Sequence, residues 1–173
     1  MSPRSIAISS LLLACAACRA KTDATPAPSA AAAAVAPAHA HDSLDERTPV
    51  PLLPMMAHHQ KQNMRDHLVA VQEITAAVAR NDFAAVGAAV KRIGYSEQMG
   101  RMCEHMGSAA PGFTELALEF HHRADAIGAA AKSQDPTAVS TALAETLTVC
   151  TNCHARFKQQ IVDEPTWAAL PRR

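Results

Sequence analysis

Near the C-terminus the chain reads Val149-Cys150-Thr151-Asn152-Cys153-His154-Ala155-Arg156-Phe157-Lys158, and this run lies on an apolar series, Val139, Leu143, Leu147, Cys150, His154, Phe157 and Ile161, spaced by three and four residues. Such spacing is that of one face of an α-helix. In a helix Cys153 lies about 60° behind Cys150 and His154 about 40° ahead of it, so two thiols and an imidazole share one face while Thr151 and Asn152 point elsewhere. Any fold of this chain has to bury a helix face that carries reactive groups. Cys-x-x-Cys-His is the signature for covalent attachment of a c-type haem, with thioethers from Cys150 and Cys153 and with His154 reaching iron from the same side. A structural zinc site would need a second Cys or His pair at matching spacing, and His121 and His122 are adjacent instead. A thioredoxin-type dithiol would sit at a helix N-terminus within a βαβ pattern, and the sequence shows none.

The opposite end assigns a compartment. Met-Ser-Pro-Arg is followed by an apolar run from Ile6 to Ala14, with Cys15 and Cys18 behind it. One positive charge before a short apolar core is the layout of a signal peptide over residues 1–18, so the chain is expected to be exported to a bacterial periplasm. Leu12-Leu13-Ala14-Cys15 resembles the lipobox of bacterial lipoproteins, which would make Cys15 a lipid anchor. Leu13 is not the usual small residue there, and ordinary cleavage near Ala17 is the alternative. Of five cysteines, two lie in the leader and two in the motif, leaving Cys103, which reads as a small buried apolar residue.

Residues 19–53 are rich in Ala, Pro, Thr and Ser, too poor in large apolar side chains to build a core, and read as a semi-extended tether. His39 and His41 within it read as solvated. Residues 54–162 have the size of one small domain, and 163–173 form a tail in which Pro165 should end the last helix at or before it and Trp167 is expected to fold back on the bundle. Sixteen basic and sixteen acidic residues give no positive surplus that would recommend nucleic acid.

Helical periodicity runs through the domain, and its punctuation predicts four helices in an all-α fold. Pro54 suits the start of a first helix to about Arg80, with Met64, Leu68, Val71, Ile74, Thr75 and Val78 on one side. Asn81 or Asp82 caps the second, Pro111-Gly112 separates second from third, and Asp135-Pro136 opens the fourth. Gly94-Tyr95-Ser96 lies inside the second element as a point of kinking or splitting, and no stretch alternates as a strand does. Because the motif continues the core stripe of its helix, the porphyrin is expected inside the helices. With little aromatic content and many alanines, the apoprotein is expected to fold poorly without it.

Four predicted helices with the motif in the last, followed by Phe157 and Lys158, resemble the cytochrome c′ family. The resemblance covers about Met55 to Val162 and implies an antiparallel up-and-down four-helix bundle with one haem in the core near the C-terminal helix. Gas-binding members carry an apolar residue over an open face of iron. Here Met55-Met56-Ala57-His58-His59-Gln60-Lys61-Gln62-Asn63-Met64-Arg65-Asp66-His67-Leu68 looks more like the low-spin branch, in which a Met from the first helix closes the sixth position. Met64 is the first choice, on the stripe with Leu68 and Val71; His59, His58 and then His67 follow. His105, His121 and His122 read as solvated, hydrogen-bonded or flanking the haem edge. Met99, Met102 and Met106 read as packing, and Arg65, Arg156 and Lys158 as partners for haem propionates. The expected activity is electron transfer with a redox partner protein, with five-coordinate nitric oxide or carbon monoxide binding as the alternative. Nothing supplies the acid/base constellation of an enzyme. The oligomeric state is open, a homodimer included.

Overall fold

Pro54 at the first helical position, where its missing N–H costs nothing, opens α1 (Pro54–Val78). The computed structural model describes residues 44–171, so the leader with Cys15, the first part of the tether with His39 and His41, and the last two residues lie outside the described residues. α2 (Phe83–Val90) begins where the Asp82 carboxylate accepts from the Ala85 N–H at 3.0 Å. The expected second helix then ends. Ile93 is buried, and Gly94 lies so close to Asp125 that a Cβ there would stand 2.3 Å from its Oδ1, while the same carboxylate accepts from the Tyr95 N–H at 3.3 Å. Ser96 caps a separate α3 (Glu97–Gly107), accepting from the Met99 N–H.

Gly112, at φ 83°, supplies the left-handed turn into α4 (Phe113–Ala131). Asp135 and Pro136 then open α5 (Pro136–Arg156) as expected, the carboxylate accepting from the Thr137 N–H at 2.9 Å. α4 packs on α5, α2 and α3, and α1 packs on α2 and α5. The fold is mostly helical, with six helices among the described residues where four were expected. None of them is long and apolar enough to cross a membrane.

The ends of the domain depart from the sequence reading. The expectation of no strand fails: β1 (Thr48–Leu52) pairs in parallel with β2 (Phe157–Ile161), Thr48 opposite Phe157 and Leu52 opposite Ile161. Residues 48–52, placed in the tether by composition, are therefore part of the domain, with Val50 and Leu52 buried. Pro49 and Pro51 lie two apart and so on the same edge of β1, which confines their missing N–H groups to one edge. α5 ends at Arg156, well before Pro165, and Ile161, expected on its inner stripe, is 58% exposed. In the tail, a short α6 (Glu164–Ala169), capped by Asp163, buries Trp167.

Two apolar clusters hold the domain. One joins α1, α2, α4 and α5 through Ala70, Ile74, Val86, Ile93, Ile127 and Val139. The other joins the strands to α1, α3 and α4 through Val50, Leu52, Ala57, Met106 and Phe113, with Phe157 edge-on to Phe113 at 5.4 Å. Cys150 packs against the first and Cys153 against the second.

Candidate functional site

One helical turn separates Cys150 from Cys153, and both open into a cavity of about 580 Å³ between the two clusters. That volume lies in the range of small-molecule and cofactor sites. Val149, Cys150, Cys153 and His154 come from α5, and Phe113, Leu116, Phe120 and His121 from α4. α3 contributes Met99, Met102, Cys103 and Met106, and α1 contributes Gln60, Asn63, Met64 and His67. The four residues that the sequence singled out, Cys150, Cys153, His154 and Met64, thus line one space.

The thiols are half-buried and unpaired. Burial pushes the Cys150 thiol above its usual range, and burial together with the neighbouring Cys150 does the same to Cys153. Since disulfide exchange proceeds through thiolate, this favours the reduced thiols that thioether formation needs. Cys103 is buried, as expected, and its thiol is pushed up to about 11 by burial and Glu104.

Four basic side chains belong to the cavity wall. Arg47, Lys61, Arg65 and Lys158 all line it, with Asp45 as the acidic member. Arg47 donates to the His154 carbonyl at 3.2 Å and to the Phe157 carbonyl at 3.4 Å, and it holds Asp45 through Nε and Nη2. Lys158 donates to the Asp45 carbonyl at 2.9 Å. The segment before β1 is thereby fastened to the residues that follow the motif. Gln159 donates to the buried Gln60 side chain, joining β2 to α1.

The expected ligands on α1 separate. His58 and His59 are exposed, edge-on to each other at 6.1 Å, and do not line the cavity. Met64 lines it but is 40% exposed, and Leu68, expected inside with it, is 69% exposed. The buried residues of α1 are Ala57, Gln60, Ala70, Ile74 and Ala77; Leu68 lies outside that face, and Met64, between Gln60 and Ala57 in helical position, is nonetheless exposed. His67 falls within that face. Its ring stacks on Phe120 at 4.6 Å and meets His121 edge-on at 5.4 Å. Burial, helped by His121, lowers its pKa to about 4, so the imidazole is neutral near pH 7.

His121 was not separated from the other histidines by sequence reasoning. It is buried, and its Nδ1–H donates to the Ile93 carbonyl at 2.7 Å, which leaves Nε2 without a proton in the neutral ring. Its pKa is lowered, first by burial. The signal available was its place among Phe113, Leu116, Phe120 and Ala124 on the inner stripe of α4. His105 and His122 are exposed, the first edge-on to Trp167 and the second stacked on Tyr95. Arg156 lies over the Phe157 ring rather than in the cavity lining.

Among the described residues no group of three or more His, Cys, Asp or Glu side chains is placed to hold a bare metal ion. Two thiols, an adjacent imidazole, apolar walls and a set of basic side chains fit an amphipathic metal macrocycle bearing carboxylates. Comparison with known protein families, curated proteins and solved structures found no match.

Proposed function

We propose that this chain is an exported c-type cytochrome that carries one covalent haem and transfers electrons to or from a redox partner protein in the periplasm. The observation that carries this reading is that both thiols of the Cys-x-x-Cys-His motif open into the same apolar-walled cavity of about 580 Å³. Cys150 and Cys153 would form the thioethers, His154 would be one axial ligand, and a side chain of α1 the other, Met64 being the choice from sequence. The bound haem supplies a one-electron couple whose potential is set by axial ligands, burial and nearby charge. Phe113, Leu116, Phe120 and Phe157, which line the cavity, would keep water from a bound haem, and Arg65 and Lys158, joined by Arg47 and Lys61, would supply countercharge for its carboxylates.

At the level of architecture, α1, the α2–α3 pair, α4 and α5 would correspond to the four antiparallel helices of a cytochrome c′-like bundle, with β1, β2 and α6 as additions. The signal peptide and the lipid anchor at Cys15 remain part of the proposal.

The deciding experiment is expression of the full chain in a bacterium with an active haem-maturation pathway, followed by mass analysis and optical spectra of the reduced protein with and without carbon monoxide. Expected are a polypeptide heavier by one haem, a low-spin spectrum, and little response to carbon monoxide. A bare polypeptide would overturn the cytochrome reading. A high-spin spectrum that shifts with carbon monoxide would replace electron transfer by gas binding.

A further inference from the structure

The geometry points to His67, and not Met64, as the α1 side chain that closes the sixth position on the iron. This inference rests on the haem reading above and concerns which residue of α1 serves it. Three observations carry it.

The first is azimuth. With the buried Gln60 taken as the reference on the helix, His67 lies about 20° to one side, toward the buried Ala70 and Ile74, whereas Met64 lies about 40° to the other, between Gln60 and the buried Ala57 but next to the exposed Leu68. Met64 at 40% exposure and Leu68 at 69% mark the solvent flank of the cavity wall. A side chain that shields an iron face from water belongs on the inner flank.

The second is the state of the ring. Phe120 stacks on His67 with 25° between the planes, which holds the imidazole plane. Among the described residues the His67 side chain makes ring contacts with Phe120 and His121 and no hydrogen bond. The His67 ring lines the cavity that also receives the two attachment thiols, which places an imidazole where a bound metal could take it as a ligand.

The third is His121. Ligating histidines almost always donate their second N–H to an acceptor, which fixes the tautomer and raises ligand basicity. The Ile93 carbonyl takes the Nδ1 proton of His121, so Nε2 is an acceptor next to the His67 ring, with 5.4 Å between ring centroids. His121, held by the Ile93 carbonyl, thus stands beside the cavity in a positioning role: its Nε2 would be the acceptor for the N–H of an iron-bound His67. The thioether of Met64 would have no such support.

The test uses haem-loaded full-length protein: wild type, Met64→Leu, His67→Ala and His121→Phe. Their spectra are taken at low temperature for spin state, and in the far red for the thioether-to-iron charge-transfer band. Expected are a low-spin wild type without the thioether band, an unchanged Met64→Leu, and a high-spin His67→Ala that returns to low spin when free imidazole is added. His121→Phe should stay low-spin with a raised reduction potential, because His67 loses the acceptor for its N–H. A thioether band in the wild type that vanishes in Met64→Leu overturns the inference and leaves the cytochrome reading standing. So does a His67→Ala protein that stays low-spin without imidazole, or a high-spin wild type. Absence of covalent haem from the wild type would bring down both.

Discussion

Asp45 shows how single residues outside any motif hold the site together. The Arg47 guanidinium bonded to its carboxylate holds Asp45 well below the usual carboxylate range, and Arg47 in turn donates to the His154 carbonyl at the end of the motif helix. A depressed folded-state pKa means that the contribution is fully present above the ordinary value of 3.8 and is lost as pH falls through the folded value. Hydrogen exchange at the Val50 and Leu52 amides should therefore accelerate on acidification below about pH 4, more steeply than global unfolding requires. In Asp45→Asn that acid-dependent component should be absent, with a small loss of protection at neutral pH, as befits an exposed pair. The motif residues themselves were legible by type and spacing. Asp45 was not, because it acts through Arg47, whose other partners are the His154 and Phe157 carbonyls, brought near only by folding.

Within α1, the inward face separates side chains that the sequence stripe had grouped. Ile74 and Leu68 both belong to that stripe, yet Ile74 is fully buried and Leu68 is 69% exposed. Ile74→Ala should cost about 3 kcal/mol in chemical denaturation, from lost burial and a residual cavity. Leu68→Ala should stay within about 0.5 kcal/mol, as surface substitutions do. Equal losses would return α1 to the rotation that the stripe implied. The start of α5 was read correctly, since capping is a local property: Asp135→Ala should lose about 1 kcal/mol by removing the acceptor for the Thr137 N–H. Its end was misread. Phe157 and Ile161 keep a helical spacing of four, but β1 captures the segment as a strand partner.

For the whole molecule, the cavity between the two apolar clusters makes stability depend on what fills it. Cys150 and Cys153 lie on its wall, one against each cluster, so the groups that would bind haem also sit where the two halves of the core meet. A Cys150→Ser, Cys153→Ser protein, unable to attach haem, should retain the far helical cluster and lose order around α3 and the strands. Its thermal midpoint should fall by about 10 °C or more relative to the haem-loaded protein, with a broader transition. An equally cooperative transition at the same temperature would mean that the cavity closes without cost, and that the two clusters support each other directly.

The amino-acid order alone determined the four main helical segments, most of their starts, and the grouping of two thiols and an imidazole on one helical face, because capping, proline placement and three- and four-residue spacing act over a single turn or two. Tertiary structure alone decided three things. It turned α1 so that His67 rather than Leu68 faces inward, it drew the segment before Pro54 into a parallel ladder with the end of α5, and it tied His121 to the Ile93 carbonyl. Each depends on groups far apart in the chain, and an amphipathic helix with apolar residues on two flanks has no inward side until its neighbours are packed against it.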